Sequence, residues 1–142
     1  METNRLIIRN FKKEDINDFM VYRNNMDWMK FQGFKGLTKN EYEEFLLEDP
    51  CIESGCYFAI ELKSEKKIIG DIYLRKLTNH IMIGYTLNPE YTKHGYIFEA
   101  VVFLKKAMFE KYHLPLYAHV DKDNLDSIKV LENAKIAYEF EK

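Results

Sequence analysis

The stretch GYIFEAVVFLKKAMFEKYH, residues 95–113, is apolar over several consecutive turns, and it runs directly between two strand-like segments. HIMIGYTL (80–87) precedes it and LPLYAHVD (114–121) follows it. Strand, helix, strand in that order makes a crossover that lays the two strands parallel, and such crossovers are right-handed. Upstream, CYFAIEL (56–62) and KIIGDIYLRKL (67–77) flank the polar turn KSEKK, and HIMIGYTL follows the turn TN as a third strand. Turns this short connect antiparallel neighbours, so these strands form a meander. One sheet must therefore be antiparallel in its first half and parallel across the crossover.

The remaining elements fit around that frame. RLIIR (5–9) reads as a first strand. KKEDINDFMVYRNN (12–25) places Ile16, Phe19, Met20 and Tyr22 or Arg23 at helical spacing, with acids in its first turn. DWMKFQGFKG (27–36) is aromatic and glycine-punctuated, a loop. TKNEYEEFLLED (38–49) opens with Thr38 and Glu41 in capping-box spacing and is followed by Pro50. The helix at 95–113 is expected to be largely buried. NLDSIKVLENA (124–134) is an amphipathic helix and KIAYEFEK (135–142) a closing strand. Residues 1–142 make one α+β (α/β) domain, a mixed central sheet flanked by helices on both faces. No repeat, low-complexity segment or linker interrupts it.

A net charge of −2 excludes a broad basic surface of the kind that drives nucleic-acid binding. METNRLIIRN has no apolar region of signal-peptide length, and no apolar run approaches the roughly 20 residues needed to span a bilayer. Cys51 and Cys56 lack a second Cys/His pair at ligand spacing, so no metal is expected. Unpaired thiols without a secretion signal suit a reducing compartment, and the expected location is cytoplasmic.

The element order, with IGYTLNPEY…GYIFEA and then YAHVDKDNLDSIKVLEN, resembles the GNAT superfamily of acyl-CoA-dependent N-acetyltransferases, nearest to the branch of ribosomal-protein N-terminal acetyltransferases. The resemblance runs from RLIIR to VLENA. It implies acetyl-CoA as co-substrate and an amine as acceptor, either a small molecule or a peptide N-terminus. The family grips the pyrophosphate of CoA at the start of the long helix, where unpaired N–H groups and the helix dipole favour an anion. Laid onto this chain, that pattern falls on Thr92, Lys93, His94, Gly95, Tyr96 and Ile97, of which Gly95 alone keeps the family residue. Thr92 replaces a long polar residue. Ile97 replaces a small one, and its branched side chain is expected to crowd the phosphate. Gly95 by itself is also an ordinary turn glycine.

The strand before the helix carries the second part of the resemblance. In the family it splays from its neighbour at a bulge, and its backbone holds the pantetheine arm; the matching positions are Ile83, Gly84, Tyr85, Thr86 and Leu87. The third part is DNLDSIKVLENAKI. Asn124 and Ser127 match the family pattern, whereas Leu131 stands where many members have a tyrosine that protonates the leaving thiolate, and Lys135 and Ile136 replace Gly-Phe. The resemblance makes Ser127 the hydrogen-bond donor to sulfur, with Asn124 holding CoA or that end of the site. Taken alone, Asn124 is a helix N-cap and Ser127 a first-turn serine.

Acetyl transfer needs a neutral amine, a held thioester and a stabilised thiolate. Met82 stands where many relatives have a glutamate base. His80, Asp71, Glu61, His119 and Asp121 are the nearby titratable groups, and a water chain is an equal alternative. Trp28, Phe31 and Phe34 either line the acceptor side or staple the helices. Family members carry two strands after the last helix; the chain has room for one, so the final strand is expected to be missing, and the open edge suggests a homodimer. The departures at Ile97, Met82, Leu131 and Lys135 keep a second reading open, a GNAT-fold module that binds without catalysing.

Overall fold

The computed structural model describes residues 1–141; Lys142, the end of the expected closing strand, lies outside the described residues. In chain order the elements are β1 (Leu6–Arg9), α1 (Ile16–Arg23), α2 (Lys39–Leu46), β2 (Cys56–Leu62), β3 (Lys67–Lys76), β4 (Ile81–Leu87), α3 (Tyr96–Tyr112), β5 (Leu116–Val120), α4 (Leu125–Asn133) and β6 (Ala137–Phe140). The six strands form one sheet whose spatial order equals their order in the chain. β1 to β4 pair antiparallel, and β4 with β5 and β5 with β6 pair parallel. The meander and the crossover are therefore where the residue pattern puts them.

Each face of the sheet has its own core. On one side Ile97, Ala100, Val101, Leu104 and Met108 of α3 and Leu131 of α4 pack on Leu6, Ile60, Ile72, Leu74, Ile81 and Ile83. On the other, Ile16, Phe19, Tyr22, Tyr42 and Leu46 of α1 and α2 pack on Ala59 and Ile68. Alternation along the strands assigns each side chain to one core or the other.

Some boundaries differ from the sequence reading. Residues 13–15 form a separate 3-10 turn before α1. Asp15 explains it: its carboxylate accepts from Lys12 N–H (2.7 Å) and pairs with Arg9 (2.7 Å), which ties this turn to β1. α2 starts as expected, with Thr38 and Glu41 exchanging backbone bonds of 3.2 and 3.0 Å, but ends at Leu46, ahead of the acidic turn. α3 is only half buried, since Phe98, Val102 and Phe109 are 41%, 42% and 55% exposed. β6 is the strand expected after α4, and no further strand follows it among the described residues.

Candidate active site

The central feature is an opening in the sheet. β4 and β5 are in register at only two positions, Ile81 with Leu116 and Met82 with Tyr117. Ile81 N–H donates to Pro115 O (2.9 Å), so β4 directs the backbone groups of alternate residues, Ile83, Tyr85 and Leu87, toward β5. β5 diverges before it can meet them and stays paired with β6 as far as Val120–Phe140. No bulge accompanies the divergence: β4 keeps continuous register with β3 from Lys76–Ile81 to Gly70–Leu87, and the irregularity lies at Ile60/Glu61. Loop 27–36 covers part of the freed edge. Trp28 Nε1–H donates to Leu87 O (2.8 Å) and Gln32 Nε2–H to Tyr85 O (3.2 Å).

Two cavities meet in this opening. The larger, about 840 Å³, runs from loop 27–32 along β4 to the start of α3 and α4. Thr92, Lys93, Gly95, Tyr96 and Ile97 line it, as do Tyr85, Thr86, Leu87, Asn124 and Ser127. The smaller, about 190 Å³, lies where β4 and β5 part and takes its walls from Tyr57, Tyr73, Met82, His119, Asp121, Leu131 and Glu141. Phe31, Gln32, Tyr85, Asn124 and Ser127 border both, so ligands in the two cavities would face each other across these residues.

The start of α3 suits an anion. Gly95 is the N-cap with φ of 76°, in the left-handed region, and no side chain caps the helix. The first-turn N–H groups thus remain for a ligand or water. Lys93 also has positive φ, 69°, and lines the same cavity. Thr92 Oγ1 is spent on Pro89 O (2.9 Å). Ile97 is 9% exposed and belongs to the core while also bordering the larger cavity, so most of its side chain is engaged in core packing. His94 does not line either cavity and leans on the Tyr96 ring at 5.5 Å. Ile83 is 2% exposed and lines only the smaller cavity.

At the start of α4, Asn124 Oδ1 accepts from Ser127 N–H (3.3 Å), the N-cap geometry. Ser127 Oγ–H donates to the Tyr85 hydroxyl (2.9 Å), which donates to Ser127 O (3.1 Å). Burial pushes the Tyr85 phenol up to about 12, with the Ser127 bond pulling the other way. The sequence reading names Tyr85 for its backbone and misses its hydroxyl. The alternation of β4 puts that side chain on the α4 side with Ile83, which was a usable signal.

The titratable groups sort clearly. Asp71 is fully buried and committed to Arg23 (2.6 and 3.3 Å) and to Tyr22 Oη–H (2.6 Å). Glu61 pairs with Arg9 (2.9 Å), and His80 sits outside both cavities with Nδ1 2.7 Å from Asn79 Oδ1. His119 and Asp121 do line the smaller cavity, and Glu141, which the sequence reading misses, joins them. His119 Nδ1 is 3.2 Å from Glu139, leaving Nε2 without a partner among the described residues. Tyr57, pushed up to about 12 mainly by burial, stays a neutral wall. Trp28 and Phe31 line the larger cavity, whereas Phe34 stacks on Tyr57 at 4.9 Å and serves the α1–α2 core.

Comparison with known proteins gives concordant results. The model of the acetyltransferase (GNAT) domain family matches residues 5–136. YnaD of Bacillus subtilis (strain 168), described as an uncharacterized N-acetyltransferase, is 26% identical over 133 residues, 92% of this chain and 78% of YnaD. Among solved structures, an acetyltransferase (GNAT family) from Bacillus anthracis superposes with a TM-score of 0.84 at 26% identity, over 94% of this chain and 81% of that one. Spermidine N-acetyltransferase from Vibrio cholerae, solved in complex with CoA and spermine, shares the fold with a TM-score of 0.77 at 18% identity, over 93% of this chain and 80% of that one.

Proposed function

Given that the chain belongs to the acetyltransferase (GNAT) domain family and is an acyltransferase, we propose that it moves an acetyl group from acetyl-CoA to a primary amine by direct attack, both molecules bound at once. The observation that carries this is the meeting of two cavities of unequal size at Tyr85, Asn124 and Ser127. A volume of about 840 Å³ suits a long ligand. One of about 190 Å³ is near the roughly 150 Å³ that admits benzene, so it accepts the slim end of an amine.

The lining fits acetyl-CoA. Uncapped N–H groups at α3, with Lys93 beside them, suit a pyrophosphate. The β4 edge suits the amides of a pantetheine arm, as a strand would add there once Trp28 and Gln32 give up Leu87 O and Tyr85 O. Thr86 Oγ1, buried without a hydrogen-bond partner among the described residues, borders the same cleft. The co-substrate supplies an activated thioester. The chain's residues supply placement, a donor at Ser127 and, at His119 or through water, the acceptor for the amine proton. The ammonium form of a typical alkyl amine has a pKa of about 10.4, so the neutral form must be generated in the site. The VYRNNMDWMKFQGF segment supports a place near the ribosomal-protein branch, which would make a peptide N-terminus one acceptor to try.

Calorimetric titration of the folded protein with acetyl-CoA, followed by an amine screen read by free-thiol release, tests the proposal. Saturable binding and amine-dependent thiol release are expected. Binding without release for any amine would favour the non-catalytic module, consistent with Met82 at the base position. No binding at millimolar acetyl-CoA would overturn the reading.

A further inference from the structure

Leu131 lines the smaller cavity at a position that carries no hydrogen-bond donor, yet the junction of the two cavities holds two hydroxyl groups. Ser127 comes from α4 and Tyr85 from β4, and they bridge the opening with bonds of 2.9 and 3.1 Å. We propose that Tyr85 backs Ser127 as the hydrogen-bond donor to the departing thiolate, a positioning role played from the sheet rather than from α4. The inference rests on the acetyl-transfer reading above.

In this step the amine nitrogen forms a bond to the acyl carbon, the carbon–sulfur bond breaks, and its electron pair stays on sulfur. Ser127 Oγ–H turns from the Tyr85 oxygen to the sulfur, and Tyr85 Oη–H turns from Ser127 O to Ser127 Oγ. Neither O–H bond breaks. The amine proton leaves to His119 or water, and water later protonates the thiolate.

Magnitudes decide between donating a hydrogen bond and giving up the proton. The Tyr85 phenol sits at about 12, whereas an ordinary thiol titrates near about 8.5. Full transfer to sulfur would run uphill by about three orders of magnitude, so the phenol keeps its proton and stabilises charge. A donor aimed at developing charge accounts for about 100-fold or more in kcat when deleted. One acting through a second hydroxyl should account for less, about 10–100-fold.

The test uses CoA itself as well as the reaction. A donor to the thiolate favours the ionised form, so CoA bound to the wild type should titrate about one pKa unit below CoA bound to Tyr85→Phe, read by thiolate absorbance. In the same variant kcat should fall about 10–100-fold while the calorimetric Kd for acetyl-CoA stays within about threefold. Tyr85→Phe and Ser127→Ala combined should cost little more than Ser127→Ala alone. Should Tyr85→Phe fail to fold, 3-fluorotyrosine at position 85, whose hydroxyl is a stronger donor, should lower the titration of bound CoA below that of the wild type. Identical titrations in wild type and variants, or a weakened Kd with unchanged kcat, would overturn the role and leave the acetyltransferase reading standing. Absence of CoA binding to the wild type would overturn that reading, and this role with it.

Discussion

Asp71→Asn is the substitution with the most calculable effect. Arg23 and Asp71 are 2% and 0% exposed, and the carboxylate takes bonds of 2.6 and 3.3 Å from Arg23 and 2.6 Å from Tyr22. The substituted amide would keep the volume and one carbonyl acceptor but leave a buried guanidinium without its counter-charge. Breaking one side of a buried pair costs about 3–5 kcal/mol, and the retained acceptor puts this case near the lower end, about 3 kcal/mol. Native domains have only about 5–15 kcal/mol in total, so the loss is large. For a domain of this size it lowers Tm by about 6–12 °C. Urea titration with circular dichroism measures it directly, with an unchanged slope m as the sign that the native state is intact. Arg23→Met, Asp71→Leu and Tyr22→Phe together remove both charges and the hydroxyl that donates to Asp71, and should recover most of the stability. A loss below about 1 kcal/mol in Asp71→Asn, or a triple variant less stable than the single one, would refute the reasoning.

Other outcomes follow from the same geometry. Ile97→Ala should cost about 2–5 kcal/mol as a core truncation and should not tighten acetyl-CoA binding, because most of the side chain is engaged in core packing; a loss below about 1 kcal/mol together with tighter binding in calorimetry would reverse that. Glu99 is held below the usual carboxylate range: burial would raise it, but Thr3 and Arg5 hydrogen bonds together outweigh burial. Its contribution is present above the unfolded value of about 4.3 and is lost as pH falls through the lowered folded value, so Glu99→Gln should flatten the acid limb of Tm against pH. Gly95→Ala, at φ of 76°, should lose about 1–2 kcal/mol from backbone strain, since the added Cβ would meet only the Arg5 guanidinium at 3.8 Å. A wild-type Tm for that variant would show that the turn relaxes.

The fold is legible in the sequence where periodicity and chain connectivity agree. Ile16, Phe19, Tyr22 and Arg23 are the buried face of α1, and the apolar alternation of β2 to β4 settles which residues reach which core. The lining of the larger cavity is legible too, because backbone position decides it: Gly95 and Asn124 must stand at the two helix starts. Side-chain direction is less legible. Spacing cannot say that Ile97 packs in the core as well as bordering the larger cavity. Asp71 looks like a free carboxylate because its partner, Arg23, lies 48 residues earlier. Glu141 cannot be linked to a site without the β5–β6 pairing that carries it beside Val120.

Trp28 is the chain's one tryptophan, and its indole N–H is tied to Leu87 O on the edge where an amide-bearing ligand would lie. The molecule thus carries its own fluorophore at the mouth of the cleft. Entry of a ligand that competes for that carbonyl must change the polarity and mobility around a 39%-exposed indole, and with it the wavelength and intensity of emission. Occupancy can then be followed optically, without a label and at concentrations too low for calorimetry, and stopped-flow traces would time the loop separately from the chemistry.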